Sequence, residues 1–247
     1  MNLSEINIRE KEFHNKLQSE KHERFENIFY KAIYNSGEDF FSYLKNAAKD
    51  CEILDYGCGI GSFVEKIVKY KPKKVTGIDI SEVSINKAKK KAKDLDIDVS
   101  FKVDNCEKTS FEDNSFDIVY GTGILHHLKI NSCLDEIFRI LKPNGNLVFI
   151  EPLGTNPIIN LYRKLTPKSR SEDEHPLINK DFKYISHKFK NTKIRYYGLT
   201  TLIFFPFYKS PQNSKLFKFL TSLDQHLFKF KFFQFFAWSA LITAKKN

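Results

Sequence analysis

The sequence predicts an α/β domain built on a mostly parallel sheet with helices on both faces, and three observations predict it. Short apolar runs alternate with charged helical stretches from residue 51 onward, the pattern of repeated strand–helix–strand units. The first run feeds a loop carrying Gly57, Gly59 and Gly61. Such glycines permit a tight turn and let the backbone approach a ligand at the start of the next helix. The second run ends on Asp79, where doubly wound folds place a carboxylate that accepts from both ribose hydroxyls.

The elements follow in order. Residues 1–50 read as helices, with Phe25, Ile28, Phe29, Ala32 and Ile33 at helical spacing and a break at Asn35-Ser36-Gly37 before a second helix near 38–49. Strands are predicted at Glu52–Tyr56, Lys74–Ile78, Asp98–Val103, Phe116–Tyr120 and Asn146–Ile150, with helices near 62–70, 82–94 and 131–141. Several runs are almost continuously apolar, as strands covered on both faces should be. Past residue 151, Pro152, Pro157, Pro167 and Pro176 interrupt any long helix, so short helices and loops are predicted over the sheet edge. A strand near Lys193–Tyr197 follows. Leu216, Leu220, Leu223 and Leu227 then share one face of a Phe- and Lys-rich helical stretch over 214–236, and Ala237–Ala244 closes the chain as an apolar run. With no internal repeat and no low-complexity linker, the reading is one domain: a helical cap over 1–50, a cofactor-binding core over 51–151, lid and substrate segments over 152–236 that complete the sheet, and a last strand over 237–244.

Composition sets limits. With 247 residues, 41% hydrophobic and 28% charged, the chain can bury a sizeable core without disulfides or a structural metal. No run reaches the roughly 18–20 apolar residues of a membrane-spanning helix. The charged N-terminal stretch has no signal-peptide core, so the expected compartment is the cytoplasm. Cys51, Cys58, Cys106 and Cys133 are scattered, without the paired spacing of a zinc or redox site, and read as reduced thiols; no metal is expected. The net charge of +10 invites nucleic acid, yet only six of the 40 basic residues are Arg, the residue favoured for bidentate phosphate contacts. No specific nucleic-acid partner is therefore expected. The charge weighs weakly toward acidic substrates or an anionic membrane surface.

The glycine spacing is GxGxG rather than the dinucleotide GxGxxG, and Asp55 stands two residues before the first glycine. A carboxylate there would repel a diphosphate and suits a ligand carrying an ammonium or sulfonium group. That favours S-adenosylmethionine over a nicotinamide cofactor. Asp104, at the end of the third strand, is placed on the same rim as an acceptor for the adenine amino group.

The order of these motifs, with Phe116–Tyr120 as fourth strand and Leu141-Lys142-Pro143-Asn144-Gly145 before the fifth, resembles class I methyltransferases over residues 51–151. The resemblance implies a Rossmann-like seven-stranded sheet of order 3-2-1-4-5-7-6 with strand 7 antiparallel, supplied by Ala237–Ala244. It implies S-adenosylmethionine as cofactor and S-adenosylhomocysteine as product. The cofactor set is Asp55, Gly57, Cys58, Gly59, Gly61, Asp79, Ile80, Asp104, Asn105, Gly121 and Thr122. Glu12–Lys16 and the stretches at Glu151-Pro152 and Glu174–Leu177 are similar to small-molecule methyltransferases of natural-product and surface-glycan pathways.

Methyl transfer requires alignment and exclusion of water, and a hydroxyl nucleophile profits from a base near neutral pH. His126 and His127, just after the fourth strand, and His175, in the covering segment, are the catalytic candidates. His14 and Glu151 are assigned to the substrate. No Asp/Asn-Pro-Pro-aromatic loop, Pro-Cys pair or acidic magnesium cluster is legible. The expected acceptor is a hydroxyl oxygen of a biosynthetic intermediate such as a sugar or polyketide. The alternatives are a lipid or quinone at a membrane surface, or RNA; a monomer or homodimer is expected.

Overall fold

The computed structural model describes residues 3–19, 28–167 and 170–247. Phe25 of the predicted first helical face, and the side chains of Ile28 and Phe29, lie outside the described set.

At the centre, β1 (Glu52–Tyr56) is buried from its second residue onward. It pairs in parallel with β2 (Lys74–Asp79) and β4 (Phe116–Thr122). Outside these lie β3 (Ser100–Val103) and β5 (Leu141–Pro152), also parallel. The antiparallel β7 (Ser239–Lys245) fits between β5 and β6 (Lys190–Tyr197). The order is β3-β2-β1-β4-β5-β7-β6, as the resemblance implied, with the last strand set two residues later than predicted.

Side chains of β1 alternate between two cores, as the period of two requires. Leu54 and Tyr56 join α5 (Ile130–Ile140) and α7 (Asn179–Lys188) through Leu134, Ile137, Phe182 and Ile185. Ile53 joins α2 (Tyr34–Ala47) through Phe40 and Leu44, with Tyr120 of β4. The glycine loop leads into the short α3 (Val64–Val68), and α4 (Glu82–Asp94) follows β2. The Ser81 hydroxyl accepts from the Ser84 amide at 3.0 Å, a helix N-cap. The first helix, α1 (Glu5–Ser19), lies against α4.

Three predicted details are corrected. Asn35-Ser36-Gly37 is no break, because it forms the first turn of α2, where backbone donors lack intrahelical partners anyway. Ser36 donates its hydroxyl to the Ile33 carbonyl, and the real discontinuity is the 3₁₀ turn Ile28–Ile33. The stretch 214–236 is two helices, α9 (Lys215–Leu227) and α10 (Lys231–Gln234). Its buried face is Phe217, Leu220 and Asp224, whereas Leu216 is 38% exposed. The cause is Asp224, which accepts the Thr200 amide at 2.7 Å and the hydroxyls of Thr200 and Thr201. A carboxylate thus caps α8 (Thr200–Ile203) and joins Phe217 and Leu220 on the buried face of α9, leaving Leu216 outside it. All four cysteines are free thiols, three of them buried.

Candidate active site

The C-terminal ends of the parallel strands meet at one rim. There Gly57, Gly59 and Gly61 have φ of 74°, 51° and 69°, a left-handed backbone that other residues rarely adopt. A Cβ on Gly57 would stand 2.6 Å from Ile124, and one on Gly121 would meet the Tyr56 carbonyl at 2.8 Å. Both glycines let the loops after β1 and β4 close on each other. A Cβ on Gly59 would meet nothing within 4 Å, so open space lies above that residue.

Asp79 latches this loop. Its carboxylate accepts the Gly59 amide at 2.9 Å and the Ser81 amide at 2.8 Å, one per oxygen. Each oxygen keeps a lone pair for a hydroxyl. Ile80 follows on the rim, half-buried, as does Thr122 at the end of β4, and Cys58 is buried beneath the loop. Asp55 is 3% exposed, and its Oδ2 has no hydrogen-bond partner. Burial pushes its carboxyl up to about 7; the nearby Tyr120 hydroxyl opposes this and the Asp79 charge adds to it. A buried carboxylate with one oxygen unpartnered, at the end of the strand that leads into the glycine loop, fits a cationic ligand group.

Asp104 has another duty. Its Oδ2 accepts the Ser110 amide and hydroxyl and its Oδ1 the Asn105 amide, so the carboxylate predicted for adenine is committed to shaping its own loop. Asn105 donates its side-chain amide to Asn7 of α1 at 3.2 Å.

The histidines separate. His126, in the 3₁₀ turn Leu125–His127, is 7% exposed, and its Nδ1 lies 2.8 Å from Glu151 Oε2. Glu151 is fully enclosed and also accepts the Ile124 and Leu125 amides, each at 2.9 Å. The Glu151 carboxylate, read from sequence as a substrate group, here fixes the turn and the His126 ring. With Nδ1 engaged, the other ring nitrogen of His126 faces Glu174 at 4.0 Å. His127 and His14 lie edge to face, ring centroids 5.3 Å apart, with Glu10 between them at 3.1 Å from His127 and 3.5 Å from His14. Burial lowers the His127 pKa, and the Glu10 contact only partly offsets this. Burial raises the Glu10 carboxyl, but His127 and His14 outweigh it and hold it below the usual carboxylate range. His175 is not part of this group: its ring is exposed and faces the Asp173 carbonyl, while only its backbone amide reaches the His126 carbonyl.

Sequence reasoning missed Glu10 and the docking of α1, and gave Glu174 no role of its own. Arg9 donates two 2.8 Å bonds to Asp173, Lys11 pairs with Glu82, and Asn15 accepts from the Ser81 hydroxyl. The helix spans from the cofactor rim to the covering segment. One signal was available, since Glu10 and His14 are four residues apart on a helix and so share a face.

The rim beyond these polar groups is apolar. Pro152, Tyr197 and Ser239 are register partners at one end of β5, β6 and β7, so the segments after β5 and β6 and before β7 converge there. They are α6 (Pro157–Leu165), the turn at Phe205–Phe207, and α10. Leu165, Phe207 and Phe232 on them are 73%, 73% and 69% exposed.

The seven-stranded sheet of this order, with the GxGxG loop latched by Asp79 at the end of β2, is the arrangement that the resemblance to class I methyltransferases implied. Residues 53–145 match the family described as "Methyltransferase domain". The fold around them is the one seen in solved S-adenosylmethionine-dependent methyltransferases. Sterol 24-C-methyltransferase of Neurospora crassa is 33% identical over 131 residues, 52% of this chain and 34% of that protein. The ubiquinone/menaquinone biosynthesis C-methyltransferase of Rickettsia prowazekii is 35% identical over 122 residues, 46% of this chain and 48% of that protein. The matched stretch spans between 28% and 48% of the length of these and the other curated relatives. Geranyl diphosphate C-methyltransferase of Streptomyces coelicolor, solved with Mg²⁺, geranyl diphosphate and S-adenosyl-L-homocysteine, superposes with a TM-score of 0.66 at 14% identity, covering 100% of both chains. That likeness carries the fold. The relatives are named for carbon acceptors, which does not favour the sugar or polyketide hydroxyl expected from sequence. Among the described residues, no helix is long and apolar enough to cross a membrane.

Proposed function

We propose that this chain transfers the methyl group of S-adenosylmethionine to a carbon of an extended, apolar small molecule. The observation that carries the acceptor class is the apolar rim formed by α6, the Phe205–Phe207 turn and α10, with Phe207 and Phe232 at 73% and 69% exposure. A hydroxyl-rich acceptor would find few polar partners on it, and the printed activities of the sterol and quinone relatives lean the same way.

Bound S-adenosylmethionine supplies a methyl group already activated by a sulfonium. Asp79 accepts from the ribose hydroxyls and holds the glycine loop around them. Asp55, ionised by a neighbouring cation, faces the amino-acid end. Gly121 and Thr122 flank the cofactor where β4 ends. The apolar rim admits the acceptor and keeps water from the in-line path. The second ring nitrogen of His126, oriented through Glu151, takes the proton that the methylated carbon gives up.

The test supplies ¹³C-methyl-labelled S-adenosylmethionine with prenylated quinols, sterols and, as controls, sugars. Label in a C–CH₃ group of an apolar acceptor supports the proposal. Label found only as O–CH₃, or only on sugars, sinks it.

A further inference from the structure

We propose that Glu10, His14 and His127 form a site for a divalent first-row transition metal, which fastens α1 over the active-site rim. Their ligand atoms all lie within 4.8 Å of one another. Two donors each about 2.1 Å from an ion, at tetrahedral or octahedral angles, stand roughly 3.0–3.4 Å apart. The observed 3.1 Å from Glu10 to His127 and 3.5 Å from Glu10 to His14 are close to that spacing before any ion has drawn the donors together.

A second observation points the same way. The Glu10 side chain is 6% exposed, and its carboxylate makes no well-aligned hydrogen bond, only the contacts to the His127 and His14 rings and Ser171. A buried carboxylate held by such poorly aligned partners is costly, and its nearest polar neighbours are imidazole nitrogens, the groups that share metal sites with carboxylates. The His127 nitrogen turned toward Glu10 has the Ser171 hydroxyl as its other neighbour, at 3.2 Å, a contact that an ion would replace.

The donor set selects the ion. Two imidazoles and one carboxylate suit zinc, cobalt, iron or manganese, whereas magnesium favours oxygen ligands and water. Three protein ligands leave coordination positions open. The site is beside His126, whose ring centroid is 4.1 Å from that of His127. Because Glu10 and His14 belong to α1 and His127 to the turn after β4, an ion here ties the N-terminal helix to the core.

The test uses the untagged full chain, stripped with a chelator and titrated with Co²⁺ by calorimetry and visible absorption, with S-adenosylhomocysteine binding measured in parallel. The expected result is one equivalent of Co²⁺ with ligand-field bands, undisturbed by equal Mg²⁺. Glu10→Gln and His14→Gln should each weaken binding by at least about tenfold while S-adenosylhomocysteine affinity holds. His226→Gln, on exposed α9, should change nothing. No stoichiometric uptake by wild type, or uptake unchanged in both variants, overturns the assignment. Should either variant melt, the wild type decides: Co²⁺ must raise its melting temperature relative to chelator, and no shift overturns the site. Since cofactor binding is read separately, failure of the metal site and failure of the methyltransferase reading are distinguishable.

Discussion

The two halves of the proposed site, one for the cofactor and one for the acceptor, are made differently. The cofactor half comes from one stretch, β1 to β4, in which each strand end delivers its residue to the rim: Asp55 before the glycines, Asp79 after β2, Gly121 near the end of β4. The acceptor half is assembled from α1, the 3₁₀ turn Leu125–His127 and the segments around α6, α8 and α10, which lie far apart in the chain. The first half is fixed by backbone geometry and local hydrogen bonds. The second depends on which helices meet, so its chemistry can vary while the cofactor machinery stays.

If the halves are separable, removing the proton acceptor should stop turnover and spare cofactor binding. His126→Gln keeps a polar side chain beside Glu151 but removes the imidazole. Turnover is expected to fall by roughly 10²–10⁴-fold, the usual range for a general base, with S-adenosylhomocysteine affinity within about threefold by calorimetry. A parallel loss of affinity would show that His126 shapes the cofactor pocket and would break the comparison.

The converse variant is Asp79→Ala. It removes the acceptor for ribose and also the latch for the Gly59 and Ser81 amides. Losing a charged acceptor that serves backbone and ligand together costs about 3 kcal/mol, or roughly 100-fold in affinity. Calorimetry with S-adenosylhomocysteine, and NADH as control, measures it.

What the sequence disclosed follows the same division. The glycine loop and Asp79 were readable because each depends on residues adjacent in the chain, whereas the strand order came only from the resemblance those motifs carry. Glu151 was noticed at the end of β5, but its contacts were not. Its partners, the Ile124 and Leu125 amides and His126, lie 25–27 residues away and no periodicity announces them. Asp224 was invisible for the same reason, since a leucine stripe in α9 looked sufficient to define the buried face until the α8 N-terminus supplied a stronger partner. Glu10 needed α1 to be docked before its position four residues from His14 acquired meaning.

A third test sharpens the cofactor half through pH. The Asp55 carboxyl is raised to about 7 by burial, with Asp79 and Cys58 near it and the Tyr120 hydroxyl opposing. A cationic ligand requires the ionised form. Binding of S-adenosylhomocysteine, which carries the ammonium group, should therefore weaken as pH falls through 7, by up to about tenfold per unit, and Asp55→Asn should abolish that dependence. Stability runs the opposite way. A folded pKa above the unfolded value of about 3.9 means the folded chain binds the extra proton. The ligand-free protein loses stability as pH rises from about 4 to 7, and Asp55→Asn should melt higher than wild type at pH 8. A variant that melts lower would show that the buried carboxylate has a stabilising partner.

The smallest effect separates the apolar rim from everything beneath it. Phe207 and Phe232 are 73% and 69% exposed, so neither holds the fold together and the double change to Ser should leave the melting temperature nearly unaltered. An acceptor that covers about 20 Å² of each ring gains about 0.5 kcal/mol per ring, or about 1 kcal/mol for the pair. The expected result is a several-fold higher KM for an apolar acceptor, with kcat and S-adenosylhomocysteine affinity unchanged. Lys209, Lys229 and Lys231 are exposed near these rings, a combination suited to anionic lipid headgroups. Co-sedimentation with phosphatidylglycerol vesicles then decides how the acceptor arrives. Wild-type binding that the double variant loses, and that high salt weakens, means the rim meets a bilayer. If KM rises for a detergent-soluble acceptor and wild type ignores vesicles, the rings contact the acceptor itself.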